Sequence, residues 1–232
     1  MVLWDIDGTL MRAPGLGVRA FASALQLVTG YDIPRDRKYD FGGKTDPLIA
    51  LELLAAIEHQ HRADELIPPM LVEVARVYAE FMEELRATSI VLPGVPAAID
   101  ALRETGARQT VVTGNIESVA RCKLAAVELD AHLDLAAGGY GSDHQVRAEL
   151  VRLAMSRLGQ HGPTNPSAAW VIGDTPRDAA CARAAGVRCL LVATGTYSVE
   201  SLREQGADAV LPDLSDTERV ISLMCEPSHA GT

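Results

Sequence analysis

The chain has 232 residues, enough for one substantial domain or for a core domain with a smaller insert. Hydrophobic residues make up 48% of it, so a packed core is available; a net charge of -10 argues against a broad nucleic-acid surface, which needs clustered Lys and Arg. No apolar stretch reaches the roughly 18 residues of a membrane span, and no signal peptide is visible at the start. We therefore expect a soluble cytoplasmic protein, monomeric or homodimeric, without nucleic-acid or membrane partners.

Short apolar runs, each about as long as a buried strand, recur along the chain and often end in small or acidic residues. They are Val2 to Trp4, Thr110 to Val112, Leu133 to Ala137, Ala169 to Ile172, Cys189 to Val192 and Ala209 to Leu211. From about residue 95 onward, longer amphipathic segments alternate with these runs. That alternation predicts an α/β fold, a Rossmann-like parallel sheet with helices on both faces.

The region between the first strand and about residue 90 breaks this alternation. Helix-like patterns occupy residues 16–29, 47–60 and 66–87, and no convincing strand occurs among them. We interpret residues 13–90 as an α-helical insertion in the sheet domain, just after its first strand. The core domain then comprises residues 1–12 and 91–225, and residues 226–232 are expected to form a flexible tail.

Polar residues follow three of the predicted strands, at the point where each strand ends. The first strand is followed by Asp5-Ile6-Asp7-Gly8-Thr9, the second by Thr113-Gly114-Asn115, and the fourth by the stretch Gly173 to Asp178. Ligands of open parallel sheets bind beyond the carboxyl ends of the strands. The sequence therefore predicts that acids, a hydroxyl group and glycines meet at one edge of the sheet.

Asp5 and Asp7 are close enough to repel each other, so a proton or a cation must lie between them. This suits phosphoryl transfer, in which one carboxylate attacks phosphorus and a neighbouring carboxyl group protonates the leaving alkoxide. Asp174 and Asp178 add the hard oxygen ligands that Mg²⁺ prefers. Asp178 is also compatible with an ordinary acid in the first turn of a helix, although we favour its role as a metal ligand.

A phosphate site is expected around Thr113, whose hydroxyl group precedes the backbone amides of Gly114 and Asn115 at a helix start. Thr113 also fits the simpler role of capping that helix, which is compatible with phosphate binding. Gly8 permits the turn after the first strand, and it and Thr9 are candidates for lining the same site.

These three segments resemble the motifs of the haloacid dehalogenase superfamily, and especially those of its phosphoglycolate phosphatase-like branch. The matching stretches are DIDGTL, VVTGN and GDTPRD. The resemblance implies that Asp5 is the nucleophile, that Asp7 is the acid and base, and that Mg²⁺ binds Asp5, the Asp7 carbonyl group and Asp174. It also implies that residues 13–90 form a helical cap and that the substrate is a small phosphorylated metabolite, a phosphomonoester.

The sequence departs from the family at the third motif, where a lysine is usual. The corresponding segment, GGYGSDHQVRAELV, has no lysine. Arg147 in this segment and Lys123 in the helix after Asn115 are the two candidates for the missing cation. We favour Arg147, which can bind phosphate in bidentate fashion, and expect Lys123 to lie at a solvated helix position.

The segment FGGKTD, residues 41–46, lies between two helices of the insertion. It is either a plain turn, with two glycines for the bend, or a substrate-specificity loop in which Lys44 and Thr45 meet the substrate beyond its phosphate. Similar stretches occur in the caps of related phosphatases, as the resemblance implies. Arg12, just after the first motif, is a further candidate for binding substrate.

Other functions remain open on the same scaffold. A dehalogenase needs no Mg²⁺ and lacks the second acid that Asp7 supplies here. A phosphonate hydrolase needs a Schiff-base lysine, for which Lys44 is a candidate. A phosphomutase and a non-catalytic binding module with this fold are the remaining alternatives, because a fold alone does not determine a function.

Overall fold

The computed structural model describes residues 1–34, 39–160 and 168–225. Residues 226–232, expected to form a flexible tail, lie outside this part. Six strands form one parallel sheet in the order β5-β4-β1-β6-β7-β8. They are β1 (Val2–Trp4), β4 (Gln109–Thr113), β5 (Gly139–Tyr140), β6 (Trp170–Gly173), β7 (Arg188–Val192) and β8 (Ala209–Leu211). The predicted α/β class with a parallel sheet is therefore confirmed.

Both faces of this sheet are covered by helices. Trp4 and Ile172 pack in one apolar cluster, whereas their strand neighbours Leu3 and Val171 pack in the cluster on the opposite face. Successive side chains of a strand point to opposite faces, so each apolar run supplies both clusters. The helices of this part are α5 (Val95–Glu104), α6 (Glu117–Ala126), α7 (Arg147–Gly159), α8 (Pro176–Ala185), α9 (Val199–Arg203) and α10 (Thr217–Cys225).

Residues 13–90, which we call the cap segment, contribute a third apolar cluster that includes Leu25, Leu53 and Met70. Its helices are α1 (Leu16–Thr29), α2 (Asp46–Ala56), α3 (Ala63–Glu80) and α4 (Met82–Thr88). The pattern over 66–87 thus corresponds to two helices, which meet at Phe81. The division into a core domain and a cap domain stays a prediction.

Two short strands were not predicted from the sequence. β2 (Met11–Arg12) and β3 (Ile90–Val91) pair antiparallel where the chain enters and leaves the cap segment. The expectation that no strand lies between β1 and residue 90 was therefore wrong for Met11–Arg12. Strands of two residues are too short to display an alternating pattern.

The third strand of the prediction, residues 133–137, was also wrong. A 3₁₀ turn occupies Leu135–Ala137 because the Asp134 carboxylate accepts hydrogen bonds from the amides of Ala136 and Ala137, both at 3.2 Å. The strand forms two residues later, at Gly139–Tyr140. A Cβ atom on Gly139 would collide with the Leu150 carbonyl oxygen of α7, so glycine lets the strand approach that helix closely.

Candidate active site

The carboxyl ends of β1, β4 and β6 bring the predicted site residues together at one edge of the sheet. β1 is hydrogen-bonded between β4 and β6, which places Asp5 between the segments that begin at Thr113 and Asp174. Gly8 has φ 83°, and a Cβ atom there would collide with the Asp174 carboxylate. Glycine at this turn therefore permits the first acidic segment to pack against Asp174.

Three carboxylates form a compact buried group. Oxygen atoms of Asp5, Asp174 and Asp178 lie within 4.8 Å of one another, and each side chain is nearly inaccessible to solvent. Burial raises the pKa of Asp5 to about 7 and that of Asp174 to about 8, and in both cases the neighbouring carboxylates add to the effect. Hard oxygen donors that repel one another in a buried site fit a divalent cation.

The Asp7 side chain is not part of this group, although the sequence placed Asp7 among the metal ligands. Its Oδ2 atom instead accepts hydrogen bonds from the Asn115 side chain at 2.7 Å and from Lys123 Nζ at 2.6 Å. A contribution of Asp7 to metal binding through its backbone carbonyl group stays a prediction.

Arg147 is the first residue of α7, and its guanidinium group lies against the buried carboxylates of Asp5 and Asp178. Nη2 is 2.7 Å from Asp5 Oδ1 and 2.6 Å from Asp178 Oδ1. Nη1 donates to the Gly43 carbonyl oxygen of the cap segment at 3.3 Å. Although burial alone lowers the pKa of Arg147, the two aspartates raise it above its ordinary value, so the guanidinium stays charged. Arg147, the favoured of the two candidates for the missing cation, therefore lies within hydrogen-bond reach of Asp5.

Lys123 is buried, with 5% of its surface exposed, so the expectation of a solvated helix position was wrong. Nζ donates to Asp7 Oδ2 at 2.6 Å and to Asn115 Oδ1 at 2.8 Å, and lies 5.4 Å from the centre of the Tyr78 ring of α3. The surrounding protein raises the pKa of Asp7, although 47% of the side chain is exposed, but the charge of Lys123 outweighs this and holds the pKa below its ordinary value. Arg147 and Lys123 thus lie at two separate places in the site, Arg147 beside Asp5 and Asp178 and Lys123 beside Asp7.

Thr113 does not cap α6, which begins four residues later at Glu117. Its hydroxyl oxygen accepts from the Asn115 amide at 3.2 Å and from the Asn115 side chain at 2.8 Å, so it fixes the loop that holds Asn115 against Asp7. A Cβ atom on Gly114 would collide with the Lys44 carbonyl oxygen. The loop after β4 and the cap segment are therefore in direct contact.

Asp178 is an acid in the first turn of α8, which is one of the two interpretations that the sequence left open, and metal binding by Asp178 stays a prediction. Its Oδ2 atom accepts from the Thr175 amide at 3.0 Å and from the Thr175 hydroxyl at 2.7 Å, which makes a capping box at the start of α8. Its Oδ1 atom binds Arg147. The nearby Thr9 side chain is also buried and donates to Asp174 Oδ1 at 3.3 Å.

The three candidates for substrate binding from the cap side differ in their surroundings. Lys44 lines the cavity, with Nζ 2.6 Å from Glu52 Oε2. Thr45 is buried and does not line the cavity, so its predicted contact with substrate has no support there. Arg12 lines the cavity and donates to the backbone carbonyl groups of Thr194 and Gly195.

Several residues at this edge of the sheet were not predicted from the sequence. Asp46 follows Thr45 in the quoted FGGKTD segment; its Oδ2 atom accepts from the Ile116 amide at 2.8 Å, and its own amide donates to the Gly114 carbonyl oxygen at 2.7 Å. Thr194 follows β7 and donates to the Gly8 carbonyl oxygen at 2.5 Å. Inspection of the end of β7, as for β1, β4 and β6, would have found Thr194.

A cavity of about 490 Å³ opens above the carboxylates and extends to the cap segment. The charged and polar side chains that line it are Asp5, Asp7, Arg12, Lys44, Asp46, Tyr78, Thr113, Asn115, Lys123, Arg147, Asp174, Thr175 and Thr196. The cavity therefore joins the acids, both buried cations and the cap segment in one site.

Comparison with known proteins places the chain in a family. The family model described as haloacid dehalogenase-like hydrolase matches residues 2–192. The chain therefore belongs to the haloacid dehalogenase-like hydrolases.

Within that family the chain is similar to phosphatases. It is 26% identical over 220 residues to a probable phosphatase, IndB, of Dickeya dadantii, covering 93% of this chain and 90% of that protein. It is 29% identical over 220 residues to a phosphoglycolate phosphatase of Rhodospirillum rubrum, covering 92% and 87%. These relatives confirm the predicted enzyme class, a hydrolase acting on phosphoric monoesters.

The fold has close counterparts among solved structures. A β-phosphoglucomutase of Clostridium difficile superposes with a TM-score of 0.74 at 14% sequence identity, covering 96% of both chains. At this identity the likeness concerns the fold alone. Within the part of the chain that the structure describes, no helix is long and apolar enough to span a membrane.

Proposed function

We propose that this phosphatase hydrolyses a phosphomonoester through an aspartyl-phosphate on Asp5, with Mg²⁺ as cofactor. The observation that carries the proposal is the position of Asp5, a buried carboxylate at the end of the central strand. It lies 2.7 Å from Arg147 and beside Asp174 and Asp178. A carboxylate so placed is held in one orientation, and the guanidinium offsets the charge that it and a phosphate dianion share.

The donor set suits Mg²⁺ in particular. Asp5, Asp174 and Asp178 offer hard oxygen ligands, and Asp178 is itself held by Thr175 and Arg147. When bound, the ion would neutralise charge on the phosphate and on the carboxylates around it. The Asp7 side chain, turned toward Lys123, is left for proton transfer.

In the first half-reaction an Asp5 oxygen attacks phosphorus and the bond from phosphorus to the ester oxygen breaks. Asp7 gives its proton to the departing alkoxide. In the second half-reaction a water oxygen attacks the same phosphorus, the bond to Asp5 breaks, and Asp7 takes the proton of that water. Asp5 and Asp7 return to the states that they had in the complex with substrate, so the products are the alcohol and inorganic phosphate.

Lys123 has a specific consequence for Asp7. Because Lys123 keeps the pKa of Asp7 low, Asp7 is ionised before substrate binds. A phosphate dianion near Asp7 raises its pKa by repulsion, so a proton enters with the substrate and is available for the leaving group. After the alcohol leaves, Asp7 is again the carboxylate that a base requires.

Phosphonate hydrolysis through Lys44 is disfavoured. A Schiff-base lysine must lose its proton before it attacks a carbonyl carbon. Lys44 Nζ is instead engaged in an ion pair with Glu52 at 2.6 Å. The geometry therefore supports the phosphomonoester hydrolase over this alternative.

Metal removal tests the proposal. We expect exhaustive treatment with EDTA to abolish hydrolysis of acetyl phosphate, and added Mg²⁺ to restore it. Asp5→Asn should lose about 10⁴-fold or more of the turnover while the circular dichroism spectrum stays native, because amide nitrogen and oxygen cannot replace the attacking carboxylate. Full activity after chelation, or Asp5→Asn activity within tenfold of wild type, would contradict the mechanism.

A further inference from the structure

The cavity is larger than a phosphate group and a two-carbon acid require. Its volume is about 490 Å³, within the range of roughly 300–1,000 Å³ that is typical of pockets for drug-sized ligands. The acids, Arg147 and the Thr113 loop lie at one end, where the proposed function places the phosphate. The remaining space faces the cap segment and is available to the alcohol part of the substrate.

The wall that the cap segment supplies is apolar and partly aromatic. Phe21 and Val18 of α1, Phe41, Ile49 of α2 and Tyr78 of α3 all line the cavity. The Phe21 and Phe41 rings are 5.6 Å apart between centres and tilted by 55°. Val18 is 58% exposed although it faces a cavity, so its apolar surface gains by contact with a ligand.

The cations near this wall already have partners in the protein, and Arg12 donates to the backbone carbonyl groups of Thr194 and Gly195. Lys44 is paired with Glu52 at 2.6 Å, and Lys123 with Asp7 at 2.6 Å. Asp46, a carboxyl group, lines the same space. A leaving group with its own carboxylate, such as glycolate, would compete with Glu52 for Lys44 and would approach Asp46.

We propose that the substrate is a phosphate ester of a neutral alcohol that carries an aromatic ring, and that the ring packs against Phe21, Phe41 and Tyr78. This inference rests on the proposed function and adds the substrate class. An aromatic ring offers flat apolar surface, and tilted contacts with other rings are favourable at centre distances of about 4.5–7 Å. Burying such a ring removes apolar surface of the ligand from water, and in the enzyme it covers the exposed Val18 and the half-buried Phe41.

The test compares esters of alkyl alcohols with similar intrinsic reactivity. The substrates are ethyl phosphate, phenethyl phosphate, cyclohexylethyl phosphate and phosphoglycolate, each assayed for kcat/KM with Mg²⁺. We expect phenethyl phosphate to exceed ethyl phosphate and phosphoglycolate by about tenfold to a hundredfold. Cyclohexylethyl phosphate should lie between phenethyl and ethyl phosphate, because it is apolar but not aromatic.

Variants connect the preference to the wall. Phe41 is half-buried, so Phe41→Ala is less disruptive than truncation of the buried Phe21 and should reduce the ratio of phenethyl to ethyl phosphate by about fivefold or more. Phe81→Ala is the matched control: Phe81 is a half-buried phenylalanine of the cap segment outside the cavity, where it contacts Arg19. Phe81→Ala should leave the ratio unchanged.

Failure of the proposed substrate class can be distinguished from failure of the proposed function. Asp5-dependent hydrolysis of acetyl phosphate, which needs no contact with the wall, reports the proposed function alone. If acetyl phosphate is hydrolysed and phosphoglycolate is preferred, or the four esters differ by less than threefold, the substrate class is wrong and the proposed function stands. A Phe41→Ala enzyme with an unchanged ratio also overturns the inference. If acetyl phosphate is not hydrolysed through Asp5, the proposed function fails and the substrate class with it.

Discussion

The floor and the cap-side wall of the cavity are built on different principles. The floor consists of the aspartates that follow strand ends and of two cations from helices, Arg147 and Lys123. Each cation lies within 2.7 Å of an aspartate. The wall consists of apolar side chains from helices and from the segment before α2, with Phe21 and Phe41 in ring contact. Under the proposed function, the reaction depends on a few fixed charges, whereas the choice of substrate depends on the shape of the wall.

Loss of Arg147 should damage the floor most. Arg147→Ala leaves Asp5 and Asp178 without their shared cation, and we expect turnover to fall by about 10²-fold or more. Arg147→Lys, which restores the charge but not the planar fork, should recover part of the activity. Steady-state kinetics measures the turnover of each variant, and thermal unfolding checks that the variant is folded. Wild-type turnover in a folded Arg147→Ala enzyme would show that catalysis does not need Arg147.

Lys123 lies where floor and wall meet, between Asp7 and the Tyr78 ring. Lys123→Met keeps the apolar stem and removes the charge, and we expect turnover to fall by about tenfold, less than for Arg147→Ala. The smaller effect follows because Asn115 still donates to Asp7 at 2.7 Å. A loss greater than that of Arg147→Ala would show that the second acid depends more on its cation than the nucleophile does.

Asp46 fastens the wall to the floor through the Ile116 amide, and it should affect stability more than chemistry. Burial raises the pKa of Asp46 to about 7, so folding favours its protonated form. The contribution of protonated Asp46 to the free energy of unfolding is fully present below the ordinary pKa of an aspartate and is lost as pH rises through about 7.

Asp46→Asn does not titrate, so the variant should gain about 1–3 kcal/mol of unfolding free energy relative to wild type between about pH 4 and about pH 8. Urea unfolding of both proteins at several pH values measures this difference. A constant difference between the two proteins would mean that Asp46 is ionised in the folded state throughout.

Much of the floor could be predicted because it follows local rules. Apolar runs identified β1, β4 and β6, and the residues after them had to meet at one edge of a parallel sheet. The same rule failed at residues 133–137, since a side chain at Asp134 favours a turn and Gly139 permits a close approach to α7.

The wall and the second cation could not be predicted in the same way. The burial of Lys123 depends on Asp7, 116 residues earlier in the chain, and on Tyr78 of α3, so no local pattern records it. The contact of Asp46 with Ile116 likewise exists only when the cap segment lies against the core. Such side chains are fixed by tertiary packing between segments far apart in sequence.

Trapping of the phosphoenzyme tests the central claim most directly. The enzyme is mixed with labelled acetyl phosphate and Mg²⁺, quenched in acid within one turnover, digested, and examined by mass spectrometry. We expect a hydroxylamine-sensitive phosphoryl group on the peptide that contains Asp5, and none in Asp5→Asn. Turnover by an enzyme whose quenched samples carry the label on another residue, or carry no label, would contradict Asp5 as the nucleophile.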